Sequence, residues 1–464
     1  MVNKMAESYK DKLWLIVLWI ILGGILVSLL FYSQSKEFDK DELEHIHTAW
    51  KILQGQEIFI DFFQHHHPFF DYLIVPVIDN FGSTIKSIFI SRYMMLFMIA
   101  AILVTTYFLS LRLFKNTEIG IISVILTSTV VTFYMKSIEI RPDVLQALIG
   151  LIAIYLLFSY YEKKSLKMFI GSAVFLAISF LVLQKSMVLA ASIGALLLYD
   201  LYKKQIRLKL VVLYGAIFLI CVLPYYIYML LNGSFEQYYI MNWAVNLHIP
   251  QHISKTQSLH LTFIENIITI VLYIIGVLTL LRSGVERKFA ILSLFLLILP
   301  VIVFTNIWRQ YFIPAIPILG IIASYALYST FNRKWSRLVV LIGAIYFPMA
   351  IMHNHELFNM EKRKQAHQID KINYVLSLTD EHDKVYDGDN LFNVFRDDID
   401  YFWFCSDCTT AYQKVEDYKY NIHEMISTRK PKVISTYRIN TNDRRIKYNY
   451  RASDKYPNLL IRQD

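Results

Sequence analysis

Uncharged or nearly uncharged apolar runs recur along the chain, near 13–32, 87–111, 117–135, 143–161, 168–183, 187–202, 210–231, 263–281, 289–305, 311–330 and 338–352. Most approach the thickness of a bilayer's hydrocarbon layer when wound as helix, so the pattern predicts a polytopic α-helical membrane protein with about eleven transmembrane helices. The first run follows Lys4, Lys10 and Lys12, is longer than a signal-peptide core and has no small-residue cleavage site after it, so it reads as a retained anchor. A different period appears in the loop 33–86. There Leu43, Ile46, Trp50 and Leu53 recur at helical spacing and Gly55 supplies a stop, which predicts a short amphipathic juxtamembrane helix along the membrane surface with Asp41, His45 and Thr48 on one side. Beyond His353 the long runs cease. The strand-like segments KVYDGD, KVISTYR and NLLIRQD alternate with helix-like stretches such as 362–378, so the expected organisation is a transmembrane domain over 1–352 followed by a small α/β domain over 353–464.

Composition agrees: 56% of residues are hydrophobic, 18% are charged and the mean hydropathy is +0.41. The net charge of +9 does not point to nucleic acid, because the basic residues fall in short clusters between apolar runs. With the N-terminus in the cytoplasm, the N-terminal tail and the connections RLFKN, EKKSLK, KKQIRLK, RSGVERK and FNRKWSR hold 18 Lys and Arg in 44 residues. The opposite connections hold only nine in about a hundred. This asymmetry follows the positive-inside rule, and an odd number of spans then places the C-terminal domain outside the cytoplasm. Of three cysteines, Cys221 sits in an apolar run as a packing residue. Cys405 and Cys408 form a CxxC on the oxidising side, which fits a local disulfide better than a redox pair because no thioredoxin-like strand and helix flank it.

The candidate chemistry is concentrated outside the spans. Asp39, Asp41, Glu42, Glu44, His45, Asp61, His65, His66 and His67 crowd into the first outer loop. Asp39 and Glu42 have capping-box spacing, which accounts for one acid of the Asp41–Glu42 pair but not both. Later outer loops carry Glu139, Arg141 and Asp143 in EIRPD, Lys185, His248, His252, and Arg309 with Tyr311 in WRQYFIP. The span interiors carry almost no ionisable groups, whereas an ion-coupled transporter keeps them at midplane on its substrate path. Three consecutive histidines diverge in helix or strand and do not easily share one zinc ion. DGDN at Asp387–Asn390 reads as a turn, and a basic residue at a span end often does no more than snorkel to the interface.

The pairing of DE after the first span, HHP before an apolar helix, EIRPD in the second outer loop and RxYxxPxxP opening a late span resembles the GT-C superfamily of membrane glycosyltransferases. Within it the likeness is to the bacterial family-39-type enzymes, including the aminoarabinose lipid A transferases, and more distantly to the protein O-mannosyltransferases. It covers about residues 1–350. The resemblance implies an inverting glycosyltransferase in a bacterial inner membrane, using a polyprenyl-phosphate-sugar donor and a glycolipid, glycan or protein acceptor at the outer face. By position it implies Asp41 as catalytic base with Glu42 beside it. His66, His67, Glu139, Arg141, Asp143, Lys185, Arg309 and Tyr311 become substrate-binding residues, although Phe69 stands where the family's HHPP run has its second proline. The metal assignment stays open, with a divalent cation near the donor phosphate one alternative. Two other classes fit the same composition: a flippase for lipid-linked glycans and a non-catalytic glycan-assembly subunit.

Overall fold

The computed structural model describes residues 2–463 apart from 251–253, 283, 305–306, 332–334, 336, 344–354, 403–405 and 419–420. Among the described residues, five helical segments are long and apolar enough to cross a membrane: Lys12–Ser35 within α1 (Val2–Ser35), α4 (Ile85–Phe114), α7 (Pro142–Lys163), Gln184–Tyr202 with α9 (Met187–Tyr202), and α10 (Leu208–Leu231). The pair Lys255–Ile264 and Ile267–Leu280, bent by 87°, passes the same test if taken as one span. Shorter apolar helices α5 (Thr117–Thr129), α8 (Leu166–Val182) and Ile316–Thr330, together with Gly284–Val303, coincide with the remaining runs. The last expected span, 338–352, lies mostly outside the described residues. Helix Ile316–Thr330 packs against α5 closely enough that a β-carbon on Gly320 would stand 2.3 Å from the Thr127 hydroxyl, so only glycine fits there.

Between the first two spans lie α2 (Lys40–Leu53) and α3 (Phe69–Phe81). The start of α2 is set by the expected capping box: the Asp39 carboxylate accepts from the Asp41 amide at 3.1 Å, and Glu42 accepts from the Asp39 amide at 2.9 Å. Gly55 follows at φ +82°, where a side chain would be strained. The expectation of a helix lying open on the membrane surface is corrected here. Every residue from Glu42 to Lys51 is buried, because the polar face is covered by the C-terminal segment. His47 Nε2 lies 2.9 Å from Asp398, Lys51 Nζ lies 2.5 Å from the same carboxylate, and His47 Nδ1 donates to the Val394 carbonyl at 3.0 Å.

That C-terminal segment is a five-stranded sheet in the order β2-β1-β3-β5-β4, formed by β1 (Lys384–Tyr386), β2 (Asp397–Asp398), β3 (Val433–Ser435), β4 (Tyr450–Ala452) and β5 (Leu459–Arg462). β1 pairs in parallel with β2 and β3, while β5 runs antiparallel to β3 and β4. The strand-like segments of the sequence supply β1, β3 and β5. DGDN is a turn, with Gly388 and Asp389 at positive φ and the Asp387 carboxylate accepting from the amides of Leu391, Phe392 and Asn393. Helix His355–Leu378 ties the segment to the end of α1: Gln365 donates to the Lys36 carbonyl at 2.7 Å, and Gln368 exchanges two hydrogen bonds with the Phe38 backbone. One hydrophobic core runs through both parts, from Leu43 and Ile46 of α2 to Val375, Val385 and Phe395.

Two buried polar joints fix this corner. Arg92 of α4 has no exposed surface, and its guanidinium donates to Glu42 at 2.9 and 2.7 Å and to the carbonyls of Ser33, Lys36 and Glu37. Glu42 also accepts from the Ile140 amide at 3.2 Å, so one ion pair joins the end of α1, the start of α2, α4 and the EIRPD loop. The second joint is His67, fully buried between the Phe180 carbonyl at 2.8 Å and the Tyr238 hydroxyl at 2.7 Å. A neutral ring donating from Nδ1 and accepting at Nε2 satisfies both partners. Burial pulls its pKa down to about 4, against a smaller opposing effect of the Phe180 and Leu181 backbone.

Removing Arg92 leaves the Glu42 charge sealed and unpaired, so Arg92→Ala should lower stability by roughly 3–5 kcal/mol, measured as unfolding of the purified protein in detergent. For His67 the folded protein binds fewer protons than the unfolded chain between pH 6.5 and about 4, so stability falls as pH drops through that window. Comparing unfolding midpoints of wild type and His67→Phe across pH 7 to 4 should show a slope worth about 3 kcal/mol missing from the variant.

Candidate active site

The loop that carries EIRPD is shaped by one proline. Pro142 takes the first helical position of α7 and forces the preceding Arg141 into extended backbone at φ −144°, ψ 146°, so Arg141 stands off the helix end while Asp143 occupies its first turn. Gln184 and Lys185 sit on a tight turn (Gln184–Ser186) between α8 and α9, and Arg309 and Tyr311 on another (Arg309–Phe312) ahead of Ile316–Thr330.

These turns and the N-terminus of α2 meet around a cavity of about 710 Å³. Asp41, His66, Arg141, Lys185, Arg309 and Tyr311 all line it, so the structure brings together six of the residues singled out in the sequence. Arg141 is the hub. It donates to Asp41, lies 3.1 Å from Glu139 and 3.6 Å from Asp143, and reaches Asp39 at 3.8 Å. Burial alone would lower its pKa, but Asp41, Glu139, Asp143 and Asp39 outweigh that and hold it well above the ordinary guanidinium value. Asp39 is likewise pushed up by burial, yet Lys136, Arg141 and Lys36 leave its carboxyl well below the usual range. Lys185 lies 3.6 Å from Asp143 and 4.2 Å from the centre of the Tyr311 ring, a cation–π contact. Arg309 makes a bidentate pair with Glu265 at 3.0 Å.

The remaining expected residues are placed elsewhere. Glu139 is fully buried beneath the cavity, holding Lys36, Lys136 and Arg141. Asp143 lines a small adjoining recess with Gln146 and Lys185. Glu42 and His67 face the joints already described and do not line the cavity. His248 is exposed and His252 lies outside the described residues. Among the described residues no three His, Cys, Asp or Glu side chains gather as a metal-ligand set, and Asp39 and Asp41 are both engaged by cations. Cys408 lines the cavity and is disulfide-bonded, Cys221 is free, and Cys405 lies outside the described residues.

Sequence reasoning did not select Glu44, His65, Gln184, Asn242, Trp243 and Asn246 as site residues, and all of them line the cavity. Glu44 had a readable signal, since it follows Asp41 by three residues and shares its helix face. The segment 240–246 had none, being an apolar, aromatic and amide stretch with no charge. The cavity wall also carries Leu247, Ile249, Pro250, Leu261, Val303 and Phe304, an apolar share beside the charged one.

A model of the dolichyl-phosphate-mannose-protein mannosyltransferase family matches residues 65–228. Among solved structures, ArnT from Cupriavidus metallidurans bound to undecaprenyl phosphate superposes with a TM-score of 0.66 at 12% identity, covering 98% of each chain. Its apo state matches equally well. The archaeal oligosaccharyltransferase AglB from Archaeoglobus fulgidus, in complex with an inhibitory peptide and a dolichol-phosphate, matches with a TM-score of 0.56 at 12% identity over 84% of this chain and 64% of that one. No curated protein matches the chain by sequence. The likeness first carried by DE and EIRPD has its counterpart in the architecture: over 98% of its length this chain shares the fold of the ArnT structure.

Proposed function

We propose that this protein is an inverting glycosyltransferase that moves a sugar from a polyprenyl-phosphate donor to an acceptor hydroxyl at the outer face of the membrane. The observation that carries the reading is the cavity that collects Asp41, Arg141, Lys185, Arg309 and Tyr311 from separate loops beside an apolar wall. A polyprenyl-phosphate sugar has the matching parts: an isoprenoid for the apolar wall, an anionic phosphate for the cations and a sugar between them. The ArnT structure with undecaprenyl phosphate, at 98% coverage of this chain, supports the same ligand class.

In this reading the acceptor oxygen attacks the anomeric carbon, the bond from that carbon to the phosphate oxygen breaks, and polyprenyl phosphate leaves. Asp41 takes the acceptor's proton as it attacks. One base on the face opposite the leaving group suffices for inversion, and no protein nucleophile is needed. The charge growing on the departing phosphate is met by Lys185 and Arg309, and by Arg141 when it turns from Asp41 toward the donor. That turn frees the Asp41 carboxylate only once donor is bound, which couples the base to the presence of its substrate. Glu139 and Asp143 keep Arg141 and Lys185 in place. Glu42 is a positioning residue, and His67 supports the loop that presents His66. The donor set at the cavity gives a divalent cation no ligand cluster, and no step is assigned to one. The charge asymmetry of the loops supports a cytoplasmic N-terminus and an extracytoplasmic C-terminal domain in a bacterial inner membrane.

Purified protein should transfer sugar from a synthetic polyprenyl-phosphate donor in detergent, which neither a flippase nor an assembly subunit would do. Asp41→Asn should cut turnover by about 10³-fold or more while undecaprenyl phosphate still binds, as expected when a general base is lost. Arg141→Ala and Lys185→Ala should each weaken donor binding by about tenfold, the size of one charge-assisted contact. Full turnover in Asp41→Asn, or unchanged donor affinity in both cation variants, overturns the assignment.

A further inference from the structure

The cavity wall near the start of α9 contains polar atoms that the phosphate reading leaves unused. Gln184 Oε1 and His66 Nδ1 are buried without a hydrogen-bond partner, on residues only 6% and 8% exposed that both line the cavity. Their other contacts fix them in place. The Gln184 amide nitrogen donates to the His65 carbonyl at 3.0 Å, Asn246 donates to the same carbonyl at 2.9 Å, and the His66 backbone amide donates to Gln64. The rings of His65 and His66 lie 4.0 Å apart, and Glu44 stands 3.3 Å from His65.

The chemistry of these atoms selects a ligand. A side-chain amide oxygen can only accept, so its partner must bring an O–H or N–H, and an ionised phosphate diester brings neither. Burial, reinforced by His65, Lys185, His45 and Arg141, pulls the His66 imidazole well below its usual value, so it is neutral with one nitrogen to donate and one to accept. A hydroxyl does both. Trp243 lines the same cavity with its indole N–H already given to Tyr238 at 3.2 Å, so it adds carbon surface of the kind on which a pyranose ring packs. Buried polar atoms without hydrogen-bond partners, as Gln184 Oε1, His66 Nδ1 and His65 Nδ1 are, are sites of water or ligand binding.

Resting on the function proposed above, we infer that His66 and Gln184, with Glu44, His65 and Trp243 around them, form a subsite for the ring hydroxyls of a sugar, separate from the cations that hold the phosphate. The hydroxyls belong to the donor sugar or to a sugar acceptor.

The full-length protein in detergent is titrated with bare undecaprenyl phosphate, with undecaprenyl phosphate carrying glucose, arabinose or glucosamine, and with the methyl glycosides of the same sugars after loading with bare lipid. Wild type should bind at least one sugar-bearing lipid more tightly than the bare lipid. Gln184→Leu and His66→Phe should reduce that preference at least tenfold with bare-lipid affinity and thermal midpoint unchanged. Loss of methyl glycoside binding with the lipid-linked preference intact supports the subsite and assigns it to the acceptor. The subsite is overturned if neither sugar probe is affected, or if bare-lipid affinity falls in parallel. Wild type that binds no undecaprenyl phosphate at all overturns the underlying function, a failure separable from variants that bind lipid normally and leave sugar recognition unchanged.

Discussion

A guanidinium and a carboxylate shut away from water hold one corner of this protein together. Taking both charges out of solvent is costly, and the cost is offset only because Arg92 finds two carboxylate contacts and three backbone carbonyls, while Glu42 also receives the Asp39 and Ile140 amides. Such a pair contributes little net stability against a well-packed apolar alternative, but it admits one geometry. That geometry sets the end of α1, the start of α2 and the EIRPD loop relative to one another, and so sets Asp41 beside Arg141. The neighbours of the candidate base are positioned by a residue that never touches the cavity.

Around the cavity the same principle operates with partial exposure. Arg141 lies among Asp39, Asp41, Glu139 and Asp143, and Lys36 and Lys136 balance Glu139 from its other side. No carboxylate in the group lacks a cation nearby, so the site is charged throughout and close to neutral in sum. In the function proposed, an incoming phosphate enters a field of fixed dipoles and exchangeable ion pairs, an arrangement suited to stabilising developing charge. Two of its cations are available by exchange, since Arg141 and Arg309 each have a carboxylate to leave.

Much of this was legible from residue order. Apolar run length marked the helices and the capping box marked the start of α2, because each depends on local chain physics. Asp41, Arg141, Lys185 and Arg309 could be selected because charge is rare in such a chain and these residues fall between spans. Glu42 illustrates the limit: its neighbour in sequence enters the cavity while it points to Arg92, a partner fifty residues away inside the next long helix. The burial of α2 was equally out of reach. Its polar face reads as water-facing until Asp398 is known to cover it, and no period in the sequence announces a contact between position 47 and position 398. The amide and aromatic wall at 240–246 carries no charge pattern, so only the folded chain reveals that it faces the same space as Asp41.

The cover over α2 has a consequence for how such proteins diversify. His47 and Lys51 of the helix that bears Asp41 share the single carboxylate of Asp398, and the apolar core is continuous across that seam. The terminal sheet is thus not an interchangeable cap. A descendant that exchanged it for another would strand a lysine and a histidine in a dry interface, so the tail and the helix that bears Asp41 are constrained to change as a pair.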